Sequence, residues 1–229
     1  MGQLDVDSLK RAAGEAAATL IEDGMVVGLG TGSTAKFAVE AIGTRVRAGL
    51  KILGVPTSEQ TAAQARSLGI PLGELTADRR VDLTIDGADE VDIHNLDLIK
   101  GRGGALLREK IVASVSDRFV IVADESKLVE RLGRSFLPVE VVRFGWEATA
   151  HKLRALGAVP TLRRGGGGQA FVTEGGHYIL DCTLSGELTP AALGMALDAV
   201  VGVVEHGLFL GMTSQVFAAG ADGVRVITR

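Results

Sequence analysis

The 229-residue sequence predicts an α/β protein: a mostly parallel, Rossmann-like sheet with a ferredoxin-like α+β subdomain inserted before the last strands. Three observations carry this. In the first half of the chain short, continuous apolar runs alternate with helical patterns, and strands without a polar face are strands covered on both sides. The first such run feeds into a glycine-rich turn that opens directly into a helix. After Pro138 the rhythm becomes strand, helix, two strands, helix and strand, the order of a ferredoxin-like unit.

Taken in order, residues 6–21 place Leu9, Ala13, Ala16, Ala17 and Leu20 on one face of an amphipathic helix. A strand over 25–28 precedes a helix over about 34–47, and a strand over 51–55 runs into Pro56-Thr57-Ser58-Glu59, which caps a helix toward Leu68. Residues 81–85 form a third strand that ends at Asp86-Gly87. Beyond Leu98-Ile99 comes the loop Lys100-Gly101-Arg102-Gly103-Gly104, then a helix over about 106–116 and a fourth strand over 119–123. The smaller unit reads as strand 138–142, helix 147–156, strands 170–172 and 178–180 around the turn 173–177, and a helix from Pro190 toward Val200. The glycine run 165–168 has no helix behind it and reads as a mobile hairpin tip, not a nucleotide loop. Segments 203–210 and 224–227 are expected to return to the main sheet around Ala221-Asp222-Gly223. The expected division is a main unit of 1–130 with 203–229, and a smaller unit of 131–202.

Composition narrows the function. A net charge of −4 provides no basic surface for nucleic acid. No apolar stretch reaches the roughly 20 residues of a membrane span. The segment Met1-Gly2-Gln3-Leu4-Asp5 lacks the basic start and apolar core of a secretory signal, and Val6 rules out Gly2 as a myristoylation site. Cys182 is the only cysteine, so no intramolecular disulfide forms, which suits a reducing cytoplasm. His94, His151, His177 and His206 lie far apart, none at ligand spacing, so neither a metal nor a cofactor is expected.

The chemistry starts at Gly30-Thr31-Gly32-Ser33-Thr34-Ala35. Glycines allow a sharp turn and close approach, and the following helix aims free N–H groups at an anion, above all a phosphate. A P-loop would need Lys where Gly32 stands, and a dinucleotide fingerprint would need Gly where Ser33 stands. Ligands of open α/β sheets bind beyond the carboxyl ends of the strands. That rule brings together the loop of Thr31, Gly32, Ser33 and Thr34, the cap 56–59, the segment Asp86-Gly87-Ala88-Asp89-Glu90, the segment Asp124-Glu125-Ser126-Lys127, and the glycine loop. Ser33, Thr34 and Lys127 suit a phosphate, Asp86 and Asp89 suit sugar hydroxyls, Lys100 suits a developing oxyanion, and Glu109 suits a general base. Such a set is what proton transfer beside a sugar carbonyl requires.

The same residues carry a resemblance. The blocks 28–34, 84–90 and 100–106, with Arg108-Glu109-Lys110, 123–127 and 54–58, resemble the blocks of the ribose-5-phosphate isomerase type A family over nearly the whole chain. The resemblance implies interconversion of D-ribose 5-phosphate and D-ribulose 5-phosphate through an enediol, in the non-oxidative branch of the pentose phosphate pathway. It implies Glu109 as the proton-shuttling base, Asp86 and Asp89 as carboxylates for ring opening and hydroxyl binding, and Lys100 and Lys127 as active-site lysines. Gly87, Ala88, Gly101, Arg102 and Gly103 fall in the substrate-binding blocks, and Lys10 aligns more loosely with a basic residue near the phosphate. Arg102 stands where many members have glycine. The resemblance also implies a cytoplasmic homodimer or homotetramer. Two other classes compete: a sugar-phosphate sensor, which would bring a basic helix-turn-helix module that this sequence lacks, and a coenzyme A transferase, which would use a Glu nucleophile.

Overall fold

The computed structural model describes residues 5–186 and 188–229. The readings of a leader and of Gly2 fall on residues 1–4, outside the described residues.

The chain begins with α1 (Val6–Ala18), whose alanines let it lie flat against α2 and against the sheet behind. Strand β1 (Val26–Leu29) leads through the glycine turn into α2 (Ala35–Arg47), and β2 (Leu53–Pro56) leads into α3 (Glu59–Ser67). The Ser58 Oγ caps α3 by accepting from the Thr61 N–H at 3.1 Å, as the sequence predicts. Then follow β3 (Val81–Gly87), β4 (Glu90–Asp92), β5 (Leu98–Ile99), α4 (Leu106–Ser114) and β6 (Ser116–Asp124). A single 3₁₀ turn over Glu125–Lys127 precedes β7 (Leu128–Val129).

The six-stranded main sheet has the order β14-β13-β6-β3-β1-β2, in which only the edge strand β14 (Gly223–Thr228) is antiparallel. Alternation along β6 shows how both faces are covered. Val120 and Val122 pack with Ile21, Val27 and Ile42 under α1 and α2, whereas Phe119 and Ile121 pack with Leu98 and Phe209 on the other side. Each such side chain, fully buried, contributes about 1.5–3 kcal/mol. Parallel strands send every βα turn to one edge, and this places the glycine turn, Asp86 and the 3₁₀ turn side by side.

The smaller unit comprises β8 (Phe136–Val141), α5 (Trp146–Ala155), β9 (Ala158–Leu162), β10 (Tyr178–Leu184), α6 (Pro190–Asp198) and β11 (Val203–His206). Its antiparallel sheet has the order β11-β8-β10-β9, a ferredoxin-like arrangement. Two expectations are corrected here. The second strand is Ala158–Leu162, not 170–172. Ala170 and Val172 make only isolated bridges to Arg164 and Tyr178, inside an excursion between β9 and β10. Pro160 disguises β9 in the sequence, yet costs little on a sheet edge, where one row of N–H groups is unpaired anyway.

The second correction concerns 203–210. Val203–His206 closes the small sheet, and β12 (Leu208–Phe209) pairs with β5 in a third sheet of order β12-β5-β4-β7. The main sheet is rejoined only at β13 (Gln215–Gly220), so the expected boundary at 202/203 falls one strand early. Gly207 makes the crossover. A Cβ there would stand 2.2 Å from the Lys100 carbonyl oxygen, so only glycine fits. Among the described residues no helix is long and apolar enough to cross a membrane.

Candidate active site

Gly28 and Gly30 are glycine because β1 lies hard against β3. A Cβ at Gly28 would meet the Thr84 hydroxyl at 1.9 Å, and one at Gly30 would meet Asp86 Oδ1 at 2.3 Å. This closeness lets Asp86 Oδ1 accept from the Thr31 N–H at 3.0 Å and from the Gly87 N–H at 2.7 Å. The Thr31 hydroxyl turns inward, to Thr57 Oγ1 at 2.7 Å, Ser58 Oγ at 2.8 Å and Thr61 Oγ1 at 3.1 Å. Thr61 was not foreseen; its position one turn into α3 was the available signal. What the turn offers outward is Ser33, Thr34 and the N–H groups of both, which meet no acceptor among the described residues.

Above this turn is a cavity of about 270 Å³, walled by residues 31–34, 87–89 and 100–103, with Glu109 and Lys127. Four of the five expected segments thus converge. The fifth, 56–59, stands behind: Thr57 and Ser58 brace Thr31, and Glu59 accepts from Arg108 Nη1 at 3.1 Å. A cavity of equal volume elsewhere is walled largely by leucines and carries no carboxylate or lysine among its described lining residues. Chemistry, not size, therefore selects the site.

Within it Lys100 is almost completely buried, with Nζ 3.1 Å from Asp86 Oδ2 and 3.3 Å from Glu109 Oε2. It also donates to the Gly87 carbonyl. Burial works against the ammonium, but Asp86 and Glu109 outweigh it and hold the Lys100 pKa above its usual value. Burial raises both carboxylates. Lys100 pulls Glu109 back only in part and Asp86 pushes it up again, leaving it at about 8, while Asp86 is raised by burial against the pull of Lys100 and of the Gly87 and Thr31 N–H groups. One ammonium cannot balance two buried anions, so the trio keeps an extra proton near neutrality.

Asp89 stands on the cavity wall and accepts from the Arg102 N–H at 2.9 Å. Asp86 differs from its expected place. It has no exposed surface and does not line the cavity: Oδ1 accepts from the Thr31 and Gly87 N–H groups, and Oδ2, 3.1 Å from Lys100 Nζ, has no hydrogen-bond partner among the described residues. Lys10 is likewise not on the wall. Its Nζ lies 3.8 Å from Asp7, and that carboxylate is also 3.9 Å from Lys36. Lys127 is half-buried and has no carboxylate within 4 Å among the described residues, since Glu125 turns to Arg225 and Asp124 to Ser126. Arg102 lines the cavity and donates to Ser135 Oγ, with its guanidinium over the Phe136 ring.

Three potential metal ligands do meet outside the cavity: Asp198, Glu205 and His206. Their donor set is already spoken for. The Leu208 N–H points at His206 Nδ1 (3.2 Å), which leaves Nε2 as the N–H donor to Asp198 Oδ1 at 3.2 Å. Lys110 Nζ sits 2.6 Å from Glu205 Oε1 and donates to the His206 carbonyl. This is an ion-pair network rather than a cation cage. Sequence spacing gave His206 no ligand partners, and those it meets in the fold come from α4, α6 and β12.

A carboxyl group titrating near 8, with an ammonium in reach of the same atoms, serves one class of protein: an α/β enzyme that moves a proton beside a carbonyl on a phosphorylated substrate. Comparison with known proteins agrees. Residues 53–223 match the family model of ribose 5-phosphate isomerase A (phosphoriboisomerase A). Ribose-5-phosphate isomerase A of Gloeobacter violaceus is 58% identical over 226 residues, covering 98% of each chain. That of Rhodopseudomonas palustris is 56% identical over 232 residues, covering 99% of this chain and 100% of its own. The solved ribose 5-phosphate isomerase A of Methanocaldococcus jannaschii superposes with a TM-score of 0.94 at 35% identity, covering 98% of this chain and 100% of its own. A ribose-5-phosphate isomerase in complex with phospho-erythronic acid superposes with a TM-score of 0.95 at 36% identity, covering 99% and 100%. The chain belongs to the ribose 5-phosphate isomerase A family.

Proposed function

We propose that Glu109 is the base of an aldose–ketose isomerisation, the interconversion of D-ribose 5-phosphate and D-ribulose 5-phosphate. The observation that carries this reading is the buried Glu109–Lys100 pair in the wall of a cavity whose other end is a phosphate-ready turn. Substrate phosphate binds Ser33, Thr34, their N–H groups and Lys127, and this contact, remote from the reacting carbons, supplies positioning energy. Ionised Glu109 takes the proton from C2 of the open-chain aldose and returns it to C1 of the enediol. O2 loses a proton and O1 gains one, so the formula is unchanged. One carboxylate serves both carbons because they are neighbours in a planar cis-enediol.

Lys100 stabilises the enediolate oxygen, an effect worth about 3–4 kcal/mol for a single donor in a dry site. Asp86, beside it, keeps that ammonium charged and aimed. Asp89, on the wall, takes the sugar hydroxyls and exchanges the protons of ring opening. Glu109 titrating at about 8 suits a base working near neutral pH.

The direct test is conversion of ribose 5-phosphate by the purified protein with no coenzyme A added. Turnover supports the isomerase, whereas activity that appears only with an acyl-coenzyme A identifies a transferase. The same reading includes a cytoplasmic homodimer or homotetramer. It is supported by a single cysteine, Cys182, which is buried with its thiol pushed up to about 12, and by exposed apolar side chains such as Phe144 (94% exposed), Met195 and Val201. Sedimentation of the purified protein checks the assembly.

A further inference from the structure

The glycine loop is held from outside by a residue of the small unit. Arg163 follows β9 directly. Its Nη1 donates to the carbonyl of Gly101 at 2.9 Å and to that of Arg102 at 3.0 Å. The guanidinium is fixed in turn by Asp181 on β10, with Nε donating to Oδ2 at 3.0 Å and Nη2 to Oδ1, a two-pronged pair. It also lies 5.9 Å from the centre of the Phe136 ring and 5.8 Å from that of Phe171. Phe171 closes the loop's far end, because a Cβ on Gly104 would stand 2.5 Å from its ring.

Two carbonyls drawn to one side have a geometric consequence. A trans peptide is planar, with C=O and N–H pointing in opposite directions, and no peptide bond of the described residues is cis. The Gly101 carbonyl and the Arg102 N–H share one plane. That N–H points away from Arg163, onto Asp89 Oδ2 on the cavity wall. The Arg102 carbonyl and the Gly103 N–H share the next plane, and the Gly103 N–H therefore also points away from Arg163, to the cavity side. It meets no acceptor among the described residues.

We propose that Arg163, locked by Asp181, is a positioning residue that orients the 102–103 peptide so that the Gly103 N–H is a ready donor to a substrate oxygen. This rests on the isomerase reading for the identity of that oxygen, which is on the sugar and not on the phosphate, since the phosphate turn belongs to other loops. Arg163 touches no substrate. It acts through the backbone of the glycine loop, and it ties the catalytic cavity to the small sheet.

The test compares R163A and R163K with the native enzyme by three measurements: affinity for phospho-erythronic acid, affinity for inorganic phosphate, and hydrogen exchange of the segment 101–104 without ligand. R163A is expected to weaken phospho-erythronic acid binding and to lower kcat/KM by about ten- to a hundredfold, with phosphate affinity unchanged. Exchange at 101–104 should quicken. R163K keeps the stem and the charge but not the fork, and should fall between. D181N should repeat R163A more mildly. Unchanged phospho-erythronic acid affinity in R163A or R163K overturns the proposal, and so does an equal loss for both ligands. A native protein that does not isomerise ribose 5-phosphate, but whose R163A variant still exchanges faster at 101–104, sinks the isomerase reading and leaves the positioning role standing.

Discussion

The Lys100 ammonium stands 3.3 Å from the Glu109 carboxylate with both side chains buried, and the same nitrogen is 3.1 Å from buried Asp86. One cation between two carboxylates makes Glu109 a group that gains and loses its proton in the working range, at about 8.

The first consequence is a pH profile. Only ionised Glu109 accepts the C2 proton, so kcat/KM should rise about tenfold per pH unit below 8 and level off above it. Initial rates with ribose 5-phosphate between pH 5.5 and 9.5 check this. A flat profile across that range removes Glu109 from the titration.

Stability should move the opposite way. The folded pKa of Glu109 lies above its ordinary 4.5, so the native state holds a proton that the unfolded chain has released. Stability then falls as pH rises from about 4.5 toward 8. Glu109→Gln has nothing to ionise and escapes this loss, and by removing the neighbouring negative charge it also eases the ionisation of Asp86, which acts in the same direction. The variant should match the native protein near pH 5 and exceed it by about 1 kcal/mol or more at pH 9, read from urea midpoints at both pH values.

The same substitution should abolish most turnover. The amide keeps the shape of Glu109 without its basicity, so kcat should fall by about a thousandfold while KM changes little. A loss confined to KM would show that Glu109 binds and does not shuttle protons.

Lys127→Ala should weaken ribose 5-phosphate binding by about one to two orders of magnitude, as expected for lost hydrogen bonds between charged groups. Its ammonium has no carboxylate within 4 Å among the described residues, and Lys127 lines the same cavity as Ser33 and Thr34. Any residual action on unphosphorylated ribose should be spared. Equal losses on both sugars would mean that Lys127 does not read the phosphate.

Most of the site was legible in the sequence, because its residues follow strands. Ser33, Asp89 and Lys127 each lie just after a strand of the main sheet, whose parallel strands send such positions to one edge, whereas Lys100 follows β5 of the third sheet and reaches the same cavity from there. Glu109 was legible from its place in the first turn of the helix that the glycine loop opens. The β9 strand was not, because Pro160 argues against a strand until its edge position is known.

The sequence by itself thus determined the class of fold, the order of the loops around the cavity and the chemistry they carry, since strand period and βα turns are local properties of the chain. The tertiary structure alone decided which carboxylate faces the cavity. Asp86 and Asp89 are three residues apart, yet the amides of Thr31 and Gly87 and the Lys100 ammonium hold one off the cavity wall, while the Arg102 N–H holds the other on it. It also set Lys10 beside Asp7, whose carboxylate also meets Lys36, and brought Arg163 onto the glycine loop. These placements depend on where separate elements pack, and a one-dimensional pattern holds no record of contacts between segments that meet only when the sheets close.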